Sequence, residues 1–276
     1  MVAGILLCHV DQKRDIMKID DTFKFDRLSL ANINEDTDFI PLVSSESDYQ
    51  LEEGEHPEEI ALLPLRNTVI FPGVVAPITA GRDKSIKLIN DAQNGTKLIG
   101  VIAQKEGKTE TPGFEDLHTV GTLAKIIRMF KMPDGNTTVI IQGLNRFTIK
   151  EQIQTEPYLK AKIEVIKEQS EVEKTKDFEI LIGSVKDLAG QIIQDSPTIP
   201  SEAQFALNNI KSNTFMLNFI SSNMNVDVNG KQELLEEGDL MKRTNSVLKH
   251  LTKELQMLEV KNEIQDKVKS EFDNQQ

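Results

Sequence analysis

Short apolar runs separated by turn residues occupy the chain from Ile60 to about residue 168, and longer segments of helical period follow. The runs "IALLPL" (60–65) and "VVAPITA" (74–80) have the length and texture of strands. Pro64 and Pro77 cannot donate to a ladder, which places these runs at edges, bulges or strand starts. Between them stands "RNTVIFPG", whose Pro72-Gly73 is a turn signal. "DKSIKLINDAQ" (83–93) spaces Ile86, Leu88, Ile89 and Ala92 near 3.6 residues, with Asp83 as a cap and Asn94-Gly95 as a stop, so it predicts one helix. "KLIGVIAQK" predicts a buried strand and "EGKTETPGFEDLH" a polar loop. "VGTLAKIIRMFKM" and "TTVIIQGL" flank "PDGN", a hairpin signal because Asp-Gly tolerates the positive φ of a tight turn. "FTIKEQIQ" and "YLKAKIEVI" complete roughly six strands with one early helix, a pattern that suits a small, partly closed barrel.

Beyond residue 168 the period changes. "EKTKDFEILIGSVKDLAGQIIQ" sets Phe178, Leu181, Ile182, Val185, Leu188 and Ile192 on one helical face. "SPTIPSEAQFALNNI" predicts a second helix with Pro200 at its start. "TFMLNFISSNM" predicts a short, strongly apolar helix and "KQELLEEG" a shorter one. From Asp239 about 36 residues follow without Pro or Gly, about 54 Å as a single helix. Leu248, Leu251, Leu255 and Leu258 form a packing seam in its first half. Val260, Ile264, Val268 and Phe272 form a different stripe in its second half, which is too long to pack on its own domain and awaits a partner. The fold class expected is therefore α+β. Its divisions are a leader over 1–59, a β subdomain over 60–168, a helical subdomain over 169–238 and a long terminal helix over 239–276.

Charge changes the picture only at the N-terminus. The net charge of −12 is concentrated in residues 1–59, which hold 15 acidic and 5 basic residues; the remainder holds 29 acidic and 27 basic. The acidic stretch "NEDTDFIPLVSSESDYQLEEGEHPEE" has the composition of a disordered, solvating leader. The near-neutral remainder offers little general attraction to phosphate backbones, which weighs against nucleic acid as a partner. No apolar run approaches the ~20 residues that span a bilayer, and "MVAGILLCHV" lacks the basic flank and cleavage site of a signal peptide. Met17 would serve as well as Met1 for a translation start. With Cys8 as its single cysteine the chain has no internal disulfide, and a reducing, cytoplasmic location is expected.

Catalytic patterns are missing. "EGKT" (106–109) resembles the tail of a phosphate-binding loop, but the glycine such a loop requires falls on Ile102. His9, His56, His118 and His250 show no ligand spacing, so neither a metal nor any other cofactor is expected. Lys125, Arg128 and Lys131 form a slightly basic strand edge, a solvated face or an RNA track. A binding or interaction module fits these features better than an enzyme.

"LPLRNTVIFPG", "LIGVIAQK", "VGTLAKIIRMF", "PDGNTTVIIQGLNRFTI" and "EPYLKAKIEVI" occur in this order, followed by "TFMLNFISSNMNVDVNGKQELLEE", "VLKHLTKELQ" and "EVKNEIQDKV". Together they resemble the N-terminal domain of the ATP-dependent protease Lon over about residues 60–274. The resemblance implies a PUA-like β-barrel followed by a helical bundle, with a noncatalytic role in recognising unfolded or damaged proteins. It also implies self-association within a ring, a hexamer in that family. The ATPase and Ser-Lys peptidase segments of that family are absent from this sequence, so hydrolysis by this chain alone is not expected.

Within that frame the candidate substrate contacts are Phe71 at the barrel rim and Phe215, Met216, Phe219 and Met224 of the short helix, Met being suited to promiscuous apolar contacts. The competing reading places these side chains in the core. Pro64, Pro72 and Gly73 shape the ends of the barrel, and Gly143 is a further structural position. Arg66 and Arg146 stand amid apolar residues and need carboxylate or carbonyl partners, either as locks within the fold or as substrate contacts. Leu255, Leu258, Ile264, Val268 and Phe272 are the candidate assembly positions. An RNA-binding module and a structural spacer remain the alternative functions.

Overall fold

The computed structural model describes residues 56–133, 135–167, 172–196, 198–200 and 202–273, with the side chains of Glu202, Asp266 and residues 268–273 outside the described set. Residues 1–55 of the expected leader lie outside it too, while Glu59 already opens the first strand.

Among the described residues six strands form one sheet: β1 (Glu59–Leu65), β2 (Val75–Ala80), β3 (Leu98–Ala103), β4 (Val120–Lys131), β5 (Thr137–Gln154) and β6 (Lys160–Val165). Their order is β2-β5-β4-β3-β1-β6, and β6 also pairs with β5, which closes a ring of β1, β3, β4, β5 and β6. Only the β1–β3 pair is parallel; the others named here are antiparallel. β5 makes closure possible. Its first part, Thr137 to Gln142, pairs with β2, and its second part, from Phe147, pairs with β6. Register shifts near Thr122, Ile126, Ile149 and Gln152 bend β4 and β5 as a closing sheet requires.

The segments "TTVIIQGL" and "FTIKEQIQ", expected as two strands, are one strand through Gly143. That glycine serves close approach, because a Cβ there would stand 2.3 Å from the Phe71 carbonyl oxygen. The expected early helix forms as α1 (Asp83–Asn94), but its cap residue is Arg82 rather than Asp83, which sits in the first turn. The loop after β3 is tied down: Phe114 and Leu117 are buried and Gln104 bridges to Leu117.

The helical half holds α2 (Lys176–Asp195), α3 (Glu202–Asn209), α4 (Asn213–Asn223), α5 (Val228–Glu236) and α6 (Leu240–Asp273). Thr175, Ser212 and Asp227 cap α2, α4 and α5, each accepting a backbone N–H three residues on. One face of the sheet packs with α1 in a core of Leu63, Leu65, Leu88, Ile89, Ile99 and Ile141. The other shares a single core with the helices, running from Leu62, Phe71, Leu144 and Phe147 to Phe178, Phe215, Leu235 and Leu251. The sheet is thus apolar on both faces, which explains why β1 and β3 read as unbroken apolar runs.

Candidate functional site

The stretch from Leu63 to Gly73 leaves β1 and turns at Phe71–Val74, where the Val74 N–H donates to the Phe71 carbonyl at 3.2 Å. Gly73 has φ +80°, a conformation that disfavours any side chain. Gly73 and Gly143 are cross-linked, because the Gly73 N–H donates to Gly143 O and the Gly143 N–H to Val74 O, both at 2.9 Å. Helix α4 lies against the other side of the turn. The Asn218 amide donates to Pro72 O at 3.2 Å, and a Cβ on Gly73 would come within 2.4 Å of the Phe215 ring. This turn therefore seats the helical half on the sheet.

That seating corrects the expected capture surface. Phe71 is fully buried, and Phe215, Met216, Phe219 and Met224 are buried as well. The rings of Phe215 and Phe219 pack with centroids 6.4 Å apart. Every residue of α4 from Thr214 to Ser221 is buried, so this helix has no solvent face for a substrate. Its apolar side chains hold the fold together.

The two arginines part ways. Arg146 on β5 is almost completely buried and donates through Nη1 to Leu235 O at 2.8 Å and Glu237 O at 2.9 Å. Both carbonyls stand at the C-terminal end of α5, where the helix dipole favours a cation. Arg66 is exposed instead, and reaches the Thr109 carbonyl at 3.5 Å on the loop after β3. Its neighbours in sequence alternate inward, while Arg66 lies just past the end of β1.

Apolar side chains that do face solvent lie elsewhere. Phe205 on α3 is 75% exposed and Ile180 on α2 is 70% exposed. Both point away from their helix's buried face: Phe205 is two positions from Ala203 and Leu207, and Ile180 two from Phe178 and Ile182. A groove of about 580 Å³ runs between α2 and α3, with Ile193 and Ile199 set among Lys186, Gln194, Gln204 and Asn208. Phe205 was legible as an outlier, because Ala203, Leu207 and Ile210 set the buried period of that segment and Phe205 breaks it.

Along α6, Leu251 is buried and Leu248, Leu255 and Leu258 pack partly buried against the helical core. Two of the five assembly positions, Leu255 and Leu258, are thus engaged within the chain. Met257, Val260 and Ile264 are exposed at spacings of three and four. The side chains of Val268 and Phe272 lie outside the described residues. The Asn262 amide donates to Asp195 O at 3.2 Å, at the end of α2. Between α5 and α6, burial raises the Glu254 carboxyl and lowers the Lys231 ammonium from their ordinary values. The Lys231 ammonium donates to Ser222 O at 2.7 Å, and the Asn225 N–H to Glu254 at 3.4 Å. Among the described residues no cluster of His, Cys, Asp and Glu could hold a metal ion, and no helix is long and apolar enough to cross a membrane.

Comparison with known proteins gives a consistent result. Residues 59–253 match the family described as the ATP-dependent protease La (LON) substrate-binding domain. The chain is similar to the Lon protease of Flavobacterium johnsoniae, 50% identical over 251 residues, which is 91% of this chain and 31% of that protein. It is 46% identical to the Lon protease of Cytophaga hutchinsonii over 242 residues, 88% of this chain and 30% of that one. The chain therefore spans about a third of the length of these relatives. In fold it is similar to the N-terminal domain of the Mycobacterium avium complex Lon protease, with a TM-score of 0.59 at 20% identity, covering 70% of this chain and 98% of that structure.

Proposed function

The chain belongs to the LON substrate-binding domain family, and from that premise we propose that it is the noncatalytic receptor portion of a Lon-type, ATP-dependent protease of the cytoplasm. In this reading it captures unfolded or damaged proteins for degradation. The observation that carries the capture step is the exposure of Phe205 on α3 and Ile180 on α2, the two helices that border the groove. Exposed aromatic and branched side chains suit contact with the apolar segments that an unfolded protein displays. A single such contact is weak. Several copies of the chain held around a ring raise the effective concentration, and α6 with its exposed Met257, Val260 and Ile264 is the element suited to hold them in register.

The test is fluorescence anisotropy of the chain against a labelled, permanently unfolded polypeptide, with labelled single-stranded RNA in parallel, each at low and high salt. Polypeptide binding that survives salt, and that falls several-fold in Phe205→Ser with the melting temperature unchanged, supports the receptor reading. Binding of RNA alone, weakening steeply with salt, would replace it with a nucleic-acid role. No binding to either, together with self-association that is lost on shortening α6, would leave a spacer.

A further inference from the structure

A second cleft carries chemistry that apolar capture does not use. It lies between the end of β1, strand β2 and the first turn of α1, encloses about 430 Å³, and is lined by Leu63, Leu65 and Ile78 together with Arg66, Arg82 and Ser85. That volume is in the range of small-ligand sites. The half-buried Arg82 guanidinium donates to Gln104 Oε1 at 2.8 Å and to Thr109 O at 3.3 Å, and Arg66 reaches the same Thr109 carbonyl at 3.5 Å. Two guanidiniums thus converge on one neutral oxygen. Among the described residues neither is within ion-pair distance of a carboxylate. Burial first, and the neighbouring Arg66 charge second, hold the Arg82 guanidinium below its ordinary value, with Glu110 opposing. Each guanidinium has five N–H donors in a planar fork, so most of them remain available to an incoming oxyanion.

We propose that this cleft binds the C-terminal carboxylate of a polypeptide whose last residue is apolar. The proposal rests on the receptor reading, since it supposes that the chain is offered polypeptides. It adds a chemical class of substrate and a site separate from the α2–α3 groove. The arginine pair supplies fork-shaped, charge-assisted donors that match a carboxylate. The partly exposed Pro64, Pro77 and Ile78 supply apolar wall beside it. A chain terminus carries its carboxylate and its side chain on one Cα, so a single residue meets both features at once. An internal aspartate or glutamate brings no apolar group and has to lead its chain out of the cleft in both directions. Inorganic phosphate would satisfy the arginines and leave the walls unused.

The test uses the full chain and a labelled peptide ending in leucine, either as the free acid or as the C-terminal amide, at low salt. The free acid is expected to bind at least about tenfold more tightly than the amide, about 1.4 kcal/mol. Arg66→Gln is expected to bring the acid down towards the amide while leaving the melting temperature unchanged, because Arg66 is exposed and touches only a loop carbonyl. Arg82→Gln should abolish the preference, and its melting temperature reports any loss of fold. Equal binding of acid and amide, or an undiminished preference in Arg66→Gln, would overturn the proposal. So would inorganic phosphate displacing the acid at comparable concentrations, which would assign the arginines to a phosphate ligand. The unfolded polypeptide of the previous section, amidated at its C-terminus, is titrated alongside. If it binds while the acid preference is absent, this proposal fails and the receptor reading stands; if neither peptide nor polypeptide binds, both fail.

Discussion

Arg66 and Arg146 have the same signature in sequence, a lone arginine in an apolar run, and opposite fates in the fold. The difference is one of position within a strand. Arg146 lies within β5 and points into the junction with α5, whereas Arg66 lies past the end of β1 where the chain has left the sheet. The need for a polar partner was legible; which carbonyl supplies it depends on contacts 89 and 91 residues away. Removing Arg146 leaves two carbonyls of α5 without their donor at a buried site. Arg146→Ala is therefore expected to destabilise the protein by about 3 kcal/mol, two charge-assisted hydrogen bonds being the main loss. Arg146→Lys should recover only part of this, since an ammonium has no planar fork with which to serve two carbonyls. Urea denaturation of both variants checks it, and a loss under about 0.5 kcal/mol in Arg146→Ala would make the contact incidental.

Helix α4 shows how far an element can be inferred from its own letters. "TFMLNFISSNM" is apolar on every side, the mark of a helix enclosed by the fold, and its length and position are close to what the pattern predicts. The same letters suggest a sticky surface, and only the turn at Phe71–Val74 and the neighbouring helices decide between the two. Replacing Phe219 by Ser is accordingly expected to remove about 3–5 kcal/mol of stability, as for other buried aromatics. A variant that folds normally and loses only binding would return Phe219 to the surface. The contact of α5 with α6 carries a pH signature. Burial holds the Glu254 carboxyl above its ordinary value, so its contribution to stability is present below its unfolded-state pKa and is lost as pH rises through the folded one. Glu254→Gln does not ionise and lacks this slope. Relative to the native chain, the variant should gain stability as pH rises from the unfolded-state pKa of Glu254 to its raised folded-state one, and hold a constant difference above that. Parallel stability curves for the two proteins between acid and neutral pH would contradict the assignment.

At the scale of the molecule, the last strand ends at Val165 and α2 begins at Lys176, on either side of the change of period near residue 168, yet that change does not mark two independent cores. The sequence alone cannot show this, because Leu62, Leu144 and Phe147 of the sheet meet Phe178, Phe215 and Leu235 of the helices only through the packing of distant segments. One face of the sheet is finished by α1, which lies within the β half. The other is finished by helices that lie beyond it, with the Gly73–Phe215 and Pro72–Asn218 contacts at the seam. A chain of residues 59–168 alone would retain every ladder of the sheet and expose that second face to water. It is expected to collapse without fixed tertiary structure, binding hydrophobic dyes and lacking a cooperative melt, whereas residues 56–273 should unfold in a single transition reported identically by sheet and helix signals. A cooperative melt of the shorter chain would mean that the shared core is a docking surface between two domains, and that capture on the helices and binding at the Arg66–Arg82 cleft can be separated onto two folded pieces. Its absence would tie both sites to one folding unit, so that any substrate loosening the helical half also loosens the cleft.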